Sequence, residues 1–278
     1  MSVDRRNCAG DGTSDKAADP GAVPRTATFH DLDGKSVFIT GGGAGIGAEI
    51  TDGFMAQGAQ VAFVQRSDAG GFCDEMAAKH GRRPLYLPCD ITDIDRLKAC
   101  ISEAAEAHGA ITALVNNAAN DQRHAVEEVT EAYWDRCQAI NLKAYFFACQ
   151  AVIAGMRDAG GGAIINFSSI SYMMGNAGFV GYTTANSGIN GMTRSLAREL
   201  GPDKIRVNAL APGWVLTEKQ LDMWATPEAL AEHLSRQCLK DHLAPRDIVD
   251  AVLFLASETS RMMTGQAMVV DGGVVVTG

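Results

Sequence analysis

Short apolar runs alternate along this chain with stretches of helical periodicity. The run 36–40, Ser-Val-Phe-Ile-Thr, is β-branched and aromatic and reads as a buried strand. Beyond the glycines of 41–47, residues 48–57 place Ile50, Phe54 and Met55 on one helical face. Further strands are predicted at 61–64, 85–87, 111–115, 163–167, 206–210 and 267–270. Helices are predicted at 69–80, 94–108, 131–157, 182–200, 227–237 and 245–257. Thr226-Pro227-Glu228 supplies an N-cap, a first-turn proline and an acidic first turn for one of them. Strand and helix in regular turn imply an α/β fold, a doubly wound parallel sheet of about seven strands with helices on both faces. No repeat or second domain interrupts the pattern, so residues 29–278 read as one domain. Residues 1–28 are rich in Gly, Ala, Asp, Ser and Pro and read as a mobile tail.

Composition narrows the function classes. Hydrophobic residues make up 46 % and charged residues 21 %, enough for a sizeable core. The net charge is −9 and no dense Lys/Arg stripe occurs, which speaks against nucleic acid and anionic membranes as partners. Seven cysteines are scattered, odd in number and without a Cys-x-x-Cys pair. They read as reduced thiols of a cytoplasmic protein, with no disulfide and no metal site. No apolar run reads as long enough to span a membrane, and the N-terminal stretch lacks the apolar segment of a secretory signal.

The glycine turn changes the picture. A strand, then Gly41-Gly-Gly-Ala44-Gly45-Ile46-Gly47, then a helix lets backbone approach a pyrophosphate at a helix N-terminus. The other polar signals fall at strand ends, where open α/β sheets bind their ligands: Cys89-Asp90-Ile91, Asn116-Asn117-Ala118, Ser168-Ser169 and Ala211-Pro212-Gly213.

Thr40-Gly41-x-x-x-Gly45-x-Gly47, Asn116-Asn117-Ala118-Ala119, Ser169, Tyr182 and Pro212-Gly213 resemble, in order and spacing, the short-chain dehydrogenase/reductase family, over about residues 32–278. The resemblance implies a single-domain Rossmann fold and hydride transfer between a nicotinamide cofactor and an alcohol or carbonyl. It makes Tyr182 the general acid/base and Ser169 the group that hydrogen-bonds the reacting oxygen. It makes Asn141 the support of a water-linked proton relay. Hydride removal from an alcohol carbon requires loss of the hydroxyl proton, which is the chemistry such a pair supplies. Cofactor contacts implied are Gly41, Ala44, Gly45, Ile46, Gly47, Asp90, Ile91, Asn117, Ala118, Tyr182, residue 186, Pro212, Gly213, Val215 and Thr217.

One residue departs from the pattern. Where the family has Tyr-x-x-x-Lys, this chain has Tyr182-Thr-Thr-Ala-Asn186. Asn186 shares a helical face with Tyr182 and can hydrogen-bond a ribose, but it carries no charge. A cation 4–5 Å from a phenolate, at an effective dielectric near 20, contributes about 3–4 kcal/mol, on the order of two to three pKa units. Lys143 is the one candidate replacement, with a solvent-facing position the simpler reading.

Gln65 stands where members preferring NAD usually carry Asp, and Arg66 follows it. Loss of the anion removes repulsion against a 2′-phosphate and Arg66 can bind one, so NADP is favoured over NAD, although Ala44 lacks the basic residue of many NADP-binding members. Asn120, Ser171 and Trp214 join Ser169 and Tyr182 as substrate contacts, and 214–217 with 219–226 read as a lid. His124 reads as a plain loop histidine, with a pocket donor as the alternative, and Met173 and Met174 as packing, with a wall of the pocket as the alternative. The Asn120-Asp-Gln-Arg-His124 loop, the 160–171 stretch and Gln237-Cys-Leu-Lys240 resemble bacterial aldose 1-dehydrogenases of the D-xylose or L-arabinose type, which oxidise a cyclic sugar to its lactone. The resemblance also implies a homotetramer. The alternatives are a carbonyl or 3-oxoacyl reductase, or a cofactor-binding protein impaired by Asn186.

Overall fold

The computed structural model describes residues 27–276. The predicted tail lies, through residue 26, outside the described residues. Seven strands form one sheet: β1 (Ser36–Thr40), β2 (Gln60–Gln65), β3 (Leu85–Pro88), β4 (Ala113–Asn116), β5 (Gly162–Phe167), β6 (Ile205–Pro212) and β7 (Ala267–Val270). Their order is β3-β2-β1-β4-β5-β6-β7 and every pairing is parallel. The order reverses between β1 and β4, so a crevice opens there at the strand C-termini.

Alternation along β1 builds the two cores. Val37 and Ile39 face one side, where they pack with Ile50 and Phe54 of α1 (Gly45–Ala56) and Leu253 of α10 (Val249–Ala256). Phe38 faces the other, with Leu97 of α3 (Ile94–His108), Ala148 and Met156 of α5 (Ala144–Asp158) and Leu196 of α7 (Val180–Leu200). A strand buried on both faces cannot show polar alternation, which is why β1 reads as an unbroken apolar run. The remaining helices are α2 (Gly70–His80), α4 (Glu131–Gln138), α6 (Ser171–Met174), α8 (Glu218–Met223) and α9 (Pro227–Arg236). Side-chain caps start several of them: Asp93 on α3, Thr130 on α4, Thr217 on α8 and Thr226 on α9.

Three departures from the predicted elements matter. The helix expected at 131–157 is interrupted by a π-helical turn, Ala139–Lys143, which holds Asn141. The helix expected at 245–257 opens as a 3₁₀ turn, Pro245–Ile248, before the regular helix begins at Val249. The loop after β5 and the lid contain α6 and α8, each too short to leave a periodic apolar signature. A correction is also needed on membrane spans. The continuous helix Glu131–Asp158 is long and apolar enough to cross a membrane, with a mean hydropathy of 1.3. It lies along the sheet, burying Ala144, Ala148, Cys149, Val152 and Met156.

A chain of buried amides fixes α7 to the sheet. Asn116 Nδ2 on β4 donates to Asn166 Oδ1 on β5 at 2.9 Å. Asn166 Nδ2 donates to Thr193 Oγ1 on α7 at 3.1 Å. The six described cysteines are free, five of them buried. Asn166→Leu keeps the branched shape but strands two partners in the core, and should lower unfolding free energy by about 3 kcal/mol in urea denaturation.

Candidate active site

The site begins where β1 meets the glycine turn. Thr40 Oγ1 accepts from the backbone N–H groups of Asn117 (2.9 Å) and Ala118 (3.1 Å). Asn117 Nδ2 donates in return to the carbonyls of Thr40 and Gly41, both at 3.1 Å. The ends of β1 and β4 are thereby stitched together. Gly41 and Gly45 have φ of +72° and +54°, where only glycine is at ease. A Cβ on Gly47 would overlap the Gly41 carbonyl oxygen. No side chain caps α1, and its first turn carries no acidic residue. Free helix N–H groups above a turn without side chains fit a dinucleotide pyrophosphate.

A cleft of about 1410 Å³ runs from this turn along the strand ends. Every site residue predicted above lines it. The glycine turn, Gln65, Arg66, Asp90, Ile91, Asn117 and Ala118 lie toward β2 and β3, and Asn120, Asn141, Ser169, Ser171, Tyr182, Asn186, Pro212, Gly213, Trp214, Val215 and Thr217 toward β5 and β6. At the adenosine end, Gln65 Oε1 accepts from Gly43 N at 3.0 Å, and its Nε2 donates to the Ser67 carbonyl at 3.1 Å. Asp90 is buried in part, which works against its charge. Bonds from the Thr92 N–H and hydroxyl, at 3.0 and 2.7 Å, with Arg66 and Arg136, outweigh that and hold the carboxyl below its usual range.

At the other end, α7 carries Tyr182 and Asn186. Burial pushes the Tyr182 phenol up to about 12, and the Asp121 carboxylate pushes the same way, as Cys137 does more weakly. Side-chain hydrogen bonds from Ser169 and Asn186 draw it part of the way back. Asn186 is buried, and its Nδ2 donates to the Tyr182 carbonyl one turn earlier at 2.8 Å. Lys143 is exposed on the π turn and does not line the cleft. Ser169 Oγ accepts from Ser171 N at 3.2 Å. The Asn141 amide is largely engaged: Nδ2 donates to the carbonyls of Cys137 (2.9 Å) and Asn120 (3.1 Å), and Oδ1 accepts from Asn120 N at 2.8 Å. Its side chain therefore fixes the loop that follows β4.

Sequence reasoning did not single out the contacts that close the cleft. Lys219 Nζ on α8 reaches Asp121 Oδ1 at 2.7 Å, and Gln220 Nε2 reaches Asp121 Oδ2 at 2.7 Å. Trp214 Nε1 donates to Gln220 Oε1 at 2.9 Å. The Arg123 guanidinium lies over the Trp224 ring, 4.2 Å from its centroid. Except for Trp214 and Gln220, these partners are about a hundred positions apart, and no local spacing announces them. Met174 lines the cleft, and His124 instead packs edge-on against Tyr133 with ring centroids 5.0 Å apart.

Comparison with known proteins agrees with this geometry. A family model described as Enoyl-(Acyl carrier protein) reductase matches residues 41–275. A Rhizobium meliloti protein named "Probable galactose dehydrogenase GalD" is 45 % identical over 251 residues, covering 90 % of this chain and 98 % of that one. D-xylose 1-dehydrogenase of Caulobacter vibrioides is 45 % identical over 249 residues, covering 89 % and 98 %. The crystal structure of a 3-oxoacyl-[acyl-carrier protein] reductase from Brucella melitensis superposes with a TM-score of 0.83 at 31 % identity, covering 90 % of this chain and 94 % of that one. Matches of this length and identity make the chain a member of the short-chain dehydrogenase/reductase family, and thus a nicotinamide-dependent oxidoreductase.

Proposed function

We propose that this chain is an aldose 1-dehydrogenase that prefers NADP and oxidises the hemiacetal carbon of a cyclic sugar to the lactone. The observation that carries the reading is the lining beyond Ser169 and Tyr182. Asn120, Asp121, Ser171, Trp214 and Gln220 supply donors, acceptors and one flat indole face. A polyhydroxylated ring can use the buried Ser171 hydroxyl, which has no partner within the protein, together with the indole face, whereas an acyl chain would leave that hydroxyl unpaired at a cost of about 1–3 kcal/mol. The 45 % identity to proteins named for galactose and D-xylose supports the same substrate class.

In this reading, the residues of the glycine turn hold the pyrophosphate. Asp90, Ile91, Asn117 and Ala118 hold the adenosine, and Pro212, Gly213, Val215, Thr217 and Asn186 the nicotinamide side. The bound nicotinamide supplies the hydride acceptor. Ser169 donates to the reacting oxygen, and Tyr182 takes its proton as the C=O forms. Asn141 positions Asn120 at the substrate. Run in reverse, the same groups reduce a carbonyl. The lean to NADP rests on Gln65, whose amide is spent on Gly43 and Ser67, and on Arg66 and Arg136 facing a single carboxylate, Asp90. A homotetramer is part of the proposal, supported by the apolar surface of Phe146 on α5 and Val180 on α7, 40 % and 41 % exposed. So is a cytoplasmic location, supported by the free cysteines.

Absorbance of reduced cofactor across a sugar panel, with NAD and NADP, tests the activity; inertness toward every aldose alongside tight cofactor binding would overturn it. The pH profile follows from the raised Tyr182 phenol. Below its pKa, the phenolate fraction grows tenfold per pH unit, so oxidation should accelerate through pH 9, with an apparent pKa well above 8. Asn186→Lys should move that profile toward neutral and raise turnover near neutral pH by about tenfold or more, and Tyr182→Phe in that background should erase the gain. Calorimetry should give tighter binding of NADP than NAD, with Gln65→Asp reversing the order; NAD binding tenfold tighter to the unaltered chain would refute the preference.

A further inference from the structure

The cleft continues past the side chains that would meet a sugar ring. A side pocket of about 300 Å³ opens from it, and Arg123, Met174, Asn176, Phe179, Trp214 and His233 line both. The short helix α6 leads from one to the other. Ser171, at its start, follows Ser169 by two residues, and Met174 stands at its end, about 5 Å further along the axis. That distance is comparable with the width of a pyranose ring. A sugar held at its anomeric carbon by Ser169 and Tyr182 can therefore place its far end at the pocket. The pocket wall is fixed from several sides. Gln220 holds the Trp214 indole at 2.9 Å, and the His233 ring meets that indole edge-on with centroids 5.4 Å apart. The Arg123 guanidinium lies 4.2 Å from the centroid of the Trp224 ring and 5.4 Å from that of Phe179.

Two aromatic rings thus hold Arg123, and its N–H groups make no hydrogen bond or ion pair with the described residues. The carboxylates at hand have partners of their own. Asp121 is taken by Lys219 and Gln220, and Glu232 by Arg236. His233 Nε2 is buried without a partner. Burial pushes the pKa of that imidazole down, and His242 and Arg236 push the same way, so near neutral pH it offers a hydrogen bond rather than a charge. The pocket therefore carries one uncompensated cation, in a chain of net charge −9. Resting on the reading of the chain as an aldose 1-dehydrogenase, we infer that the side pocket is a carboxylate subsite and the substrate a uronic acid. Arg123 holds the carboxylate at the carbon farthest from C1, and His233 hydrogen-bonds beside it. A guanidinium presents paired N–H groups that match the two oxygens of a carboxylate. One cation balances a monoanion, whereas a phosphate dianion calls for a second, and Arg236 is already taken by Glu232. D-xylose in its pyranose form has no carbon outside the ring to reach the pocket, and D-galactose brings only a neutral hydroxymethyl group. The carboxylate is a handle and emerges from the oxidation unchanged.

The test compares D-galacturonate with D-galactose, which differ only at that carbon. With NADP, kcat/KM for D-galacturonate should be higher by about tenfold or more, the effect of one charge-assisted pair. Most of the difference should lie in KM, because the handle is bound alike in the ground and transition states. Arg123→Met should cut the galacturonate-to-galactose ratio about tenfold. Arg123→Lys should restore part of it, since lysine keeps the charge without the paired geometry. A residue that only braced the lid would lower both rates together and leave the ratio unmoved. Glu232→Gln, which frees Arg236, should raise the ratio. In the unaltered chain, added salt should raise KM for D-galacturonate and not for D-galactose, a reading that needs no variant to fold. Calorimetric titration of each sugar into the NADPH-loaded chain gives the same comparison without turnover. Galacturonate bound and oxidised no better than galactose, a ratio indifferent to Arg123, or D-galactose 6-phosphate preferred over D-galacturonate would each overturn the inference. Tight galacturonate binding with no oxidation of any aldose would instead overturn the aldose 1-dehydrogenase reading and leave the subsite standing.

Discussion

The exchange of hydrogen bonds between Thr40 and Asn117 is the constraint on which the site depends. Two parallel strands end side by side at β1 and β4, and their chains then part in opposite directions, one into α1 and the other toward α4. Left alone, the parting would open the sheet to water at its centre. Thr40 Oγ1 satisfies two backbone N–H groups of the β4 exit, and the Asn117 amide satisfies two carbonyls of the β1 exit. The glycines follow from this closeness. Residue 47 must pass the Gly41 carbonyl with no side chain at all, and the helix that begins there keeps its N–H groups unspent.

The far end of the cleft is held by polar groups rather than by packing. Ser168, Asn186 and Asn190 are linked beneath the site: Asn190 Nδ2 donates to Ser168 Oγ at 2.9 Å and to the Asn186 carbonyl at 2.8 Å. Asn141 does the same for the loop after β4. A buried network of this kind is costly when any member is missing, and it rigidifies its surroundings when complete. That rigidity makes the charge balance around one phenol a matter of individual residues. Replacing a family lysine by Asn186 removes a cation without removing a hydrogen-bonding partner, so the electrostatics change while the scaffold stays.

Much of this was legible in the chain. The strands are buried runs bounded by glycine or by polar exit residues, so their number and order of appearance were plain, as in β1 and β5. The glycine turn, Ser169 and Tyr182 carry spacing set by strand–turn–helix geometry, and spacing survives in one dimension. The closure of the cleft does not. Asp121 and Lys219 meet only because β4 and β6 both end at the same edge of the sheet, and neither residue is unusual for a loop. The π turn was hidden for a different reason. Residues 139–143 have ordinary helical composition, and one extra residue in a turn alters no propensity; it is detected only from which carbonyl each N–H meets.

That turn sets a register for the whole flank. An α-helix rotates by about 100° per residue, so the extra residue turns the face of α5 relative to the face it would present as a regular continuation of α4. Cys137 of α4 is buried beside Gly181 of α7, while Ala148 and Val152 of α5 pack on the sheet. One straight helix would satisfy one of these surfaces and turn the other toward solvent. The insertion lets a single continuous element serve two walls that are not aligned. Its consequence is an unusual intolerance: shortening residues 139–143 by one would heal the hydrogen-bond ladder locally, yet swing a third of a turn's worth of apolar surface off the sheet. In most helices an added residue is the lesion; here the regular helix would be.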